Sequence, residues 1–367
     1  MKRLAVLSVL AVMLIAAAPA ANAAVPRAPK LFHGVMWDRA AAGTSLEAMD
    51  EQWALMGRSG VETARVVFSW AHAQPTPSGP LDWSAIDEQV ERATLSRIRL
   101  LPVVLYTPGW ARKYAERAGS PPERPADFAW FVGLLVERYG PGGTFWDERP
   151  ELARRPLREW QIWNEPHLGF YWYRPPDDGA DAWMGPYTDL LGQARRAIKA
   201  VDPGAKVVLA GLADASWRLL AKLYHHGVRG KFDVAAINIF TGRPGFVMTA
   251  TRLTRHVLRR FHERRKPIWI TETTFPAAKG EVPRPDPEWQ RRWYTTESGM
   301  ARRLTELYSL GAKNARRLGL QRIYWYTWGT SYKGADDLFD YSGLVRIVDG
   351  EAKPQPALRA FKRAARR

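Results

Sequence analysis

The chain has 367 residues, 46% of them hydrophobic, no cysteine and a formal charge of +17. That length buries a large core without disulfides, and the missing thiols exclude cysteine nucleophiles, zinc–thiolate sites and iron–sulfur clusters. The seven histidines show no H-E-x-x-H spacing, so neither a metal site nor a cofactor is expected.

The chain opens with MKR, continues with an apolar run from Leu4 to Ala18 and reaches Ala21-Asn22-Ala23. A basic start, a short apolar stretch and an A-x-A site predict a secretory signal peptide over 1–23. The mature chain, 24–367, is then expected outside the cytoplasmic membrane. No later stretch approaches the ~20 apolar residues of a membrane span.

Beyond the signal, β-branched and aromatic runs predict strands at 33–37, 63–70, 99–106, 158–164, 205–212, 232–240, 267–272 and 322–328. Amphipathic patterns between and after them predict helices near 45–58, 84–97, 125–139, 186–201, 214–227, 248–265, 292–318 and 356–366. Continuous apolar strands, each followed by a helix, imply parallel strands buried on both faces. Eight such units fit an α/β fold of the (β/α)8 TIM-barrel type in one domain. A doubly wound open sheet would carry a glycine-rich phosphate turn after its first strand, and VMWDRAAAGTS is not one. The Pro-rich stretches, such as 75–80 and 283–287, fall in predicted loops.

Much of the positive charge lies in segments such as RHVLRRFHERRK (255–266) and the tail FKRAARR. Solvated helix faces are the first reading of such runs, and attraction to an anionic polysaccharide or cell envelope is the sharper one. Secretion and the absence of a recognisable binding motif speak against nucleic acid.

In a (β/α)8 barrel the carboxyl ends of the strands meet at one face and supply the reacting groups. EWQIWNEPH (159–167) brings Asn164 and Glu165 to such an end on the fourth strand, and PIWITE (267–272) brings Glu272 there on the seventh. A charge inside those apolar runs would be costly, whereas at the mouth it meets substrate. Either glutamate alone reads as a strand-end salt-bridge residue. Together they supply what glycoside hydrolysis needs: one protonated carboxyl for the leaving oxygen, one ionised carboxylate for the anomeric carbon or a water.

WQIWNEPH and PIWITETTFP resemble the acid/base and nucleophile strands of clan A retaining glycoside hydrolases. GVETARVVFSWAHAQPTPSGPLDWSAIDEQVERA is similar to the second βα unit of that clan, and LPVVLYTPGWA and SGLVRIVDGEAKPQPALRAF fit as well. The resemblance spans nearly the whole mature chain, nearest to family 39-like and then family 5-like enzymes. It implies Glu165 as general acid/base and Glu272 as nucleophile, with carboxyl groups about 5–5.5 Å apart. Asn164 would hold the sugar 2-hydroxyl and Arg65 would support the nucleophile. Neighbours on a regular strand point to opposite faces, so Asn164 and Glu165 can share one sugar only if the strand bulges or frays there.

The 17 tryptophans are mostly expected in the core. Trp37, Trp70, Trp110, Trp325 and Trp328 lie near strand ends, where an indole face can stack on a sugar. Trp328 or Trp325 matches the residue that floors the catalytic subsite in the clan, and GFYWYRPP (169–176) is expected to wall the cleft. One position departs from the pattern. The clan's sixth strand ends in His-x-Tyr, whose Tyr touches the nucleophile, whereas this chain has Asn238 and Phe240. Either another tyrosine, such as Tyr326, takes that place, or the site is tuned for a different sugar. The expected protein is a secreted, monomeric, retaining glycosidase acting on a poly- or oligosaccharide. A transglycosylase with the same residues and a non-catalytic glycan- or envelope-binding barrel are the alternatives.

Overall fold

Eight runs of buried residues form the strands of the computed structural model, which describes residues 28–37, 45–282, 288–331 and 337–366; the predicted signal peptide lies outside them. The strands are β1 (His33–Met36), β2 (Thr63–Ser69), β3 (Arg99–Leu105), β4 (Glu159–Ile162), β5 (Lys206–Val208), β6 (Ala235–Asn238), β7 (Ile268–Thr273) and β8 (Leu320–Trp325). α1 (Leu46–Arg58) follows β1, while α2 (Trp70–Ala73) and α3 (Ser84–Leu95) follow β2. After β3 come α4 (Pro125–Tyr139) and α5 (Thr144–Glu148); α6 (Met184–Val201), α7 (Ser216–His225), α8 (Pro244–Arg260) and α9 (Glu297–Leu318) follow β4 to β7 in turn. α10 (Pro356–Ala365) ends the described chain.

All eight strands are parallel, in the order β5-β4-β3-β2-β1-β8-β7-β6. Parallel bridges from Val208 to Val234 and from Leu212 to Ile237 join the two ends, and the Leu209 N–H donates to the Val234 carbonyl at 3.0 Å. The expected (β/α)8 barrel is what forms. Helix limits follow local chemistry. Proline opens α4, α8 and α10, where its missing N–H costs nothing. Thr296 caps α9 by accepting from the Gly299 N–H at 3.2 Å, and Gly319 closes that helix at φ 62°. No helix of the described residues is long and apolar enough to cross a membrane.

All the strand predictions except that of β7 overshoot at their carboxyl ends. β4 stops at Ile162 instead of 164, and β8 at Trp325 instead of 328. Apolar composition continues there, but the backbone leaves the sheet to build the mouth. A small sheet was not foreseen: β9 (Gly329–Thr330), β10 (Val345–Val348) and β11 (Glu351–Pro354). Its hairpin turn, Asp349-Gly350, has φ of 50° and 82°. An Asp-Gly pair is a readable signal for that turn.

Inside the barrel, Leu101, Val208, Val234, Ala236, Trp269 and Tyr324 form a buried cluster. Beside it Arg322 donates to both oxygens of Glu159 at 2.6 and 2.7 Å and lies 3.9 Å from the centre of the Trp269 ring. Gly34 is required here, because a Cβ would come within 2.6 Å of the Tyr324 ring. Removing one partner of a buried ion pair strands the other charge, so Glu159→Ala should lower stability by about 3–5 kcal/mol. Replacing both with apolar residues, Glu159→Leu with Arg322→Met, should recover most of that loss. Urea unfolding of the three proteins checks this, and equal stability of the single variant and the parent would refute it.

Candidate active site

Both glutamates reach the mouth through irregular backbone. After β4 ends, Trp163 and Glu165 adopt positive φ, 70° and 40°, and Asn164 forms a single bridge to Gly211. The Glu165 N–H donates to the Gly211 carbonyl at 3.0 Å. The strand thus breaks its alternation at the place where Asn164 and Glu165 must point into one site. On β7 the pairing register shifts between Ile270 and Thr273, and against β6 between Ile237 and Asn238. Trp269 faces the barrel interior, so strict alternation would send Glu272 outward, and the bulge returns it to the mouth.

A chain of hydrogen bonds links the two carboxylates. Arg65, 1% exposed, donates from Nη1 to Glu272 Oε1 at 2.5 Å and from Nη2 to Asn164 Oδ1 at 2.7 Å. Its Nε is fixed by Gln161 Oε1 at 2.7 Å. Asn238 Nδ2 donates to Glu165 Oε1 at 2.7 Å, and Asn238 Oδ1 accepts from the Thr271 hydroxyl at 2.7 Å. Gly211 makes room for this amide, since a Cβ there would fall 2.5 Å from Asn238 Oδ1. With its Oδ1 taken by Arg65, Asn164 retains its NH2 as the end that can donate to a substrate hydroxyl. The structure therefore brings together Glu165, Glu272, Asn164 and Arg65 of the residues expected from sequence, and adds Asn238, Thr271 and Gly211.

The electrostatics divide the two acids. Burial pushes Glu165 up to about 8, the Glu272 charge pushes the same way, and Asn238 and Arg65 pull back against both. Asp214, beyond β5 at φ 51°, adds a further upward push. The Arg65 guanidinium, in contact with Glu272, stabilises a negative charge there. Tyr171 is raised above the usual phenol range by burial and then by the charges of Glu272 and Glu165, so it remains a neutral donor beside them. Its ring lies 6.4 Å from that of Tyr106, near parallel. The expected wall of 169–176 is thus at the site through Tyr171. Sequence reading did not single out Tyr171, Tyr106 or Asp214. The only available signal was a tyrosine closing the third predicted strand and another in GFYWY.

The tryptophans are placed differently from the expectation. Trp325 is fully buried, donates to the Ser342 carbonyl at 2.9 Å and packs on Phe275. Trp328 is fully buried and donates to Gln52 on α1 at 3.2 Å. With no exposed surface, neither ring is open to a sugar in the mouth. On β8, Arg322 and Tyr324 face the barrel interior while Ile323 and Trp325 face the helices, so the next inward position is Tyr326. Tyr326 belongs to a half-buried aromatic group in which the Phe240 ring lies 6.0 Å from Tyr326, 6.2 Å from Trp293 and 4.9 Å from Phe339. The Tyr326 N–H donates to the Thr273 carbonyl next to Glu272. Trp37 packs on Trp53 at 5.1 Å and, with Met36, Tyr106, Ser69 and His72, lines a cavity of about 340 Å³ beside the mouth. Trp70 is fully buried, and Trp110 donates to the Gln74 carbonyl at 3.0 Å. Among the described residues there is no cluster of His, Asp or Glu suited to a metal ion.

No protein-family model matches the sequence, and no curated protein does. Solved structures match clearly in fold. A family 39 glycoside hydrolase from Bacteroides cellulosilyticus WH2 is similar over 92% of this chain and 64% of its own, at 16% identity and a TM-score of 0.66. A monomeric β-xylosidase from Caulobacter crescentus CB15 is similar over 92% and 69%, at 16% identity and a TM-score of 0.64. The GH53 catalytic domain of Ignisphaera aggregans is similar over 92% and 97%, at 20% identity and a TM-score of 0.59. The chain spans about two thirds of the length of the first two, and the likeness establishes the barrel they share.

Proposed function

We propose that the protein is a retaining glycoside hydrolase in which Glu165 is the general acid/base and Glu272 the nucleophile. The observation that carries this is the buried pair itself: an acid raised by its surroundings on β4, and a carboxylate held by Arg65 on β7, joined through Asn164 and Asn238. In the first step Glu272 attacks the anomeric carbon, the glycosidic C–O bond breaks, and the Glu165 proton passes to the leaving oxygen. Asn238 can only donate through Nδ2, so Glu165 carries that proton on Oε2. Asn164 holds a hydroxyl of the sugar undergoing attack. The aromatic group of Phe240, Tyr326, Trp293 and Phe339 offers faces for sugar rings. The substrate is a poly- or oligosaccharide, and the N-terminal signal sends the enzyme across the cytoplasmic membrane.

Aryl glycosides of several sugars test the reading, with β-xylosides first because one structural neighbour is a β-xylosidase. Turnover by the purified protein is expected. Glycan capture without turnover of any member would favour a non-catalytic barrel, and transfer to added sugar in preference to water would favour a transglycosylase.

The pH profile follows from the pair. Glu165 must be protonated, so kcat/KM should fall as pH rises through about 8. Asn238→Ala removes a donor that favours the ionised acid, so the alkaline limb should move upward. A hydrogen bond to a charged group is worth about 1.5–3 kcal/mol, which corresponds to a shift of about one to two pH units. An alkaline limb that stays in place would show that Asn238 does not act through Glu165.

A further inference from the structure

The formal charge of the chain is concentrated on one flank. The segments 244–266, 297–318 and 356–366, which are α8, α9 and α10 with the loop after α8, hold sixteen Lys and Arg against three Asp and Glu. α9 packs against both α8 and α10, so the three form one continuous face. Arg252, Arg259, Arg260, Arg264 and Arg265 are exposed on α8 and its loop, Arg302, Lys313, Arg316 and Arg317 on α9, and Arg359, Arg363 and Arg366 at α10. None of these makes an ion pair among the described residues. The loop after β4 at the mouth is different: segment 163–183 holds one arginine against Glu165, Asp177, Asp178 and Asp181.

Helix dipoles explain only part of this. Cations are favoured in a last turn, which covers Arg259, Arg260, Arg316, Arg317 and Arg363. Arg302 lies in the second turn of α9 and Arg359 in the first of α10, where the dipole gives no help. Like charges four apart, as in Lys313/Arg317, Arg359/Arg363 and Lys362/Arg366, each cost a helix roughly 0.2–0.5 kcal/mol. The array is also rigid at one end. Buried Arg255 donates to the carbonyls of Leu318, Arg264 and Lys266 at 2.7, 2.8 and 2.7 Å, tying the end of α8 to the end of α9.

We infer that this flank binds an acidic polysaccharide, holding the chain on a polyanion while the mouth remains open to substrate. Three features select that partner. The array is mostly arginine, whose fork pairs bidentately with carboxylate, sulfate or phosphate. The one large apolar side chain exposed on these helices is Phe246, in the first turn of α8, so the face lacks the apolar side of a bilayer-binding helix. Phe246 alone among the Phe, Tyr and Trp of these helices is exposed, too few to stack successive nucleobases. The inference does not depend on the glycosidase reading, because binding needs no turnover.

The test is fluorescence anisotropy of labelled polygalacturonate with the full-length mature protein, at 20 and 200 mM NaCl, alongside neutral dextran. Binding is expected at low salt, weakened at least tenfold at the higher salt, with no binding of dextran. Replacing Arg259, Arg260, Arg316 and Arg317 with Glu should weaken binding at least tenfold. A second variant, Arg252→Glu with Arg302→Glu and Arg359→Glu, should do the same and guards against a fold defect in the first. Both should remain folded, the first melting a few degrees lower because it puts anions at helix carboxyl ends, and both should hydrolyse small aryl glycosides at the parental rate. Absence of binding, unchanged binding by two folded variants, or tighter binding to phosphatidylglycerol vesicles or single-stranded DNA would each overturn the inference.

Discussion

Glu272→Gln should reduce turnover by about 10⁴-fold or more while leaving the fold intact. An amide cannot form the glycosyl ester, and no other described carboxylate shares the Arg65 guanidinium. The change also removes the negative charge that helps hold Glu165 protonated, so the Glu165 pKa should fall toward the ordinary range. Two readouts therefore move together, rate and carboxyl titration. The circular dichroism spectrum and substrate affinity should remain near parental. Near-normal turnover in this variant would place the nucleophile elsewhere.

The second large effect separates the two roles of Glu165. With a poor leaving group, departure needs a proton, so Glu165→Ala should slow the first step by about 10²–10⁴-fold. With a dinitrophenolate, little protonation is needed and that step should survive. The second step still lacks its general base, so the glycosyl-enzyme should accumulate after a burst. Azide needs no base, and it should restore turnover and give a glycosyl azide of retained configuration. Burst kinetics on both substrates, with and without azide, supply the measurement. Equal losses on the two substrates and no azide rescue would remove Glu165 from the acid/base role.

The barrel was legible because most of its strands are buried on both faces and mainly apolar, β4 with Glu159 and Gln161 being the exception; β7 and β1 have no exposed position at all. Glu165 and Glu272 were legible because charged groups end those runs. What composition could not reveal is how each arrives at the mouth. The left-handed turns at Trp163 and Glu165 and the bulge on β7 break a period of two, and a run of apolar letters carries no mark of such a break. The requirement that the strand be irregular at Asn164 was nonetheless deducible, since two neighbours cannot otherwise face one sugar.

The eighth strand shows the opposite failure. YWYTW offers aromatics at every parity, and register decides which of them turn inward. Arg322 settles it: a buried cation must find its anion, Glu159 is that anion inside the barrel, and positions of the same parity share its face. Trp325 thereby becomes a packing residue and Tyr326 the inward one, while Trp328, past the end of β8, is buried against Gln52 of α1. Tyr171 and Asp214 depend on loop paths that strand periodicity does not describe. Asn238 stood out in sequence as a departure from the pattern the chain otherwise resembles. Its contacts with Glu165 and Thr271 tie it to the site.

The most direct test of the account is the configuration of the first sugar released. An aryl glycoside that the protein hydrolyses is mixed with enzyme in D2O, and the anomeric proton is followed by NMR before mutarotation. Double displacement through Glu272 predicts that the substrate's own anomer appears first and the other only later by mutarotation. If the opposite anomer appears first, water attacks the sugar directly, and the covalent role assigned to Glu272 is wrong.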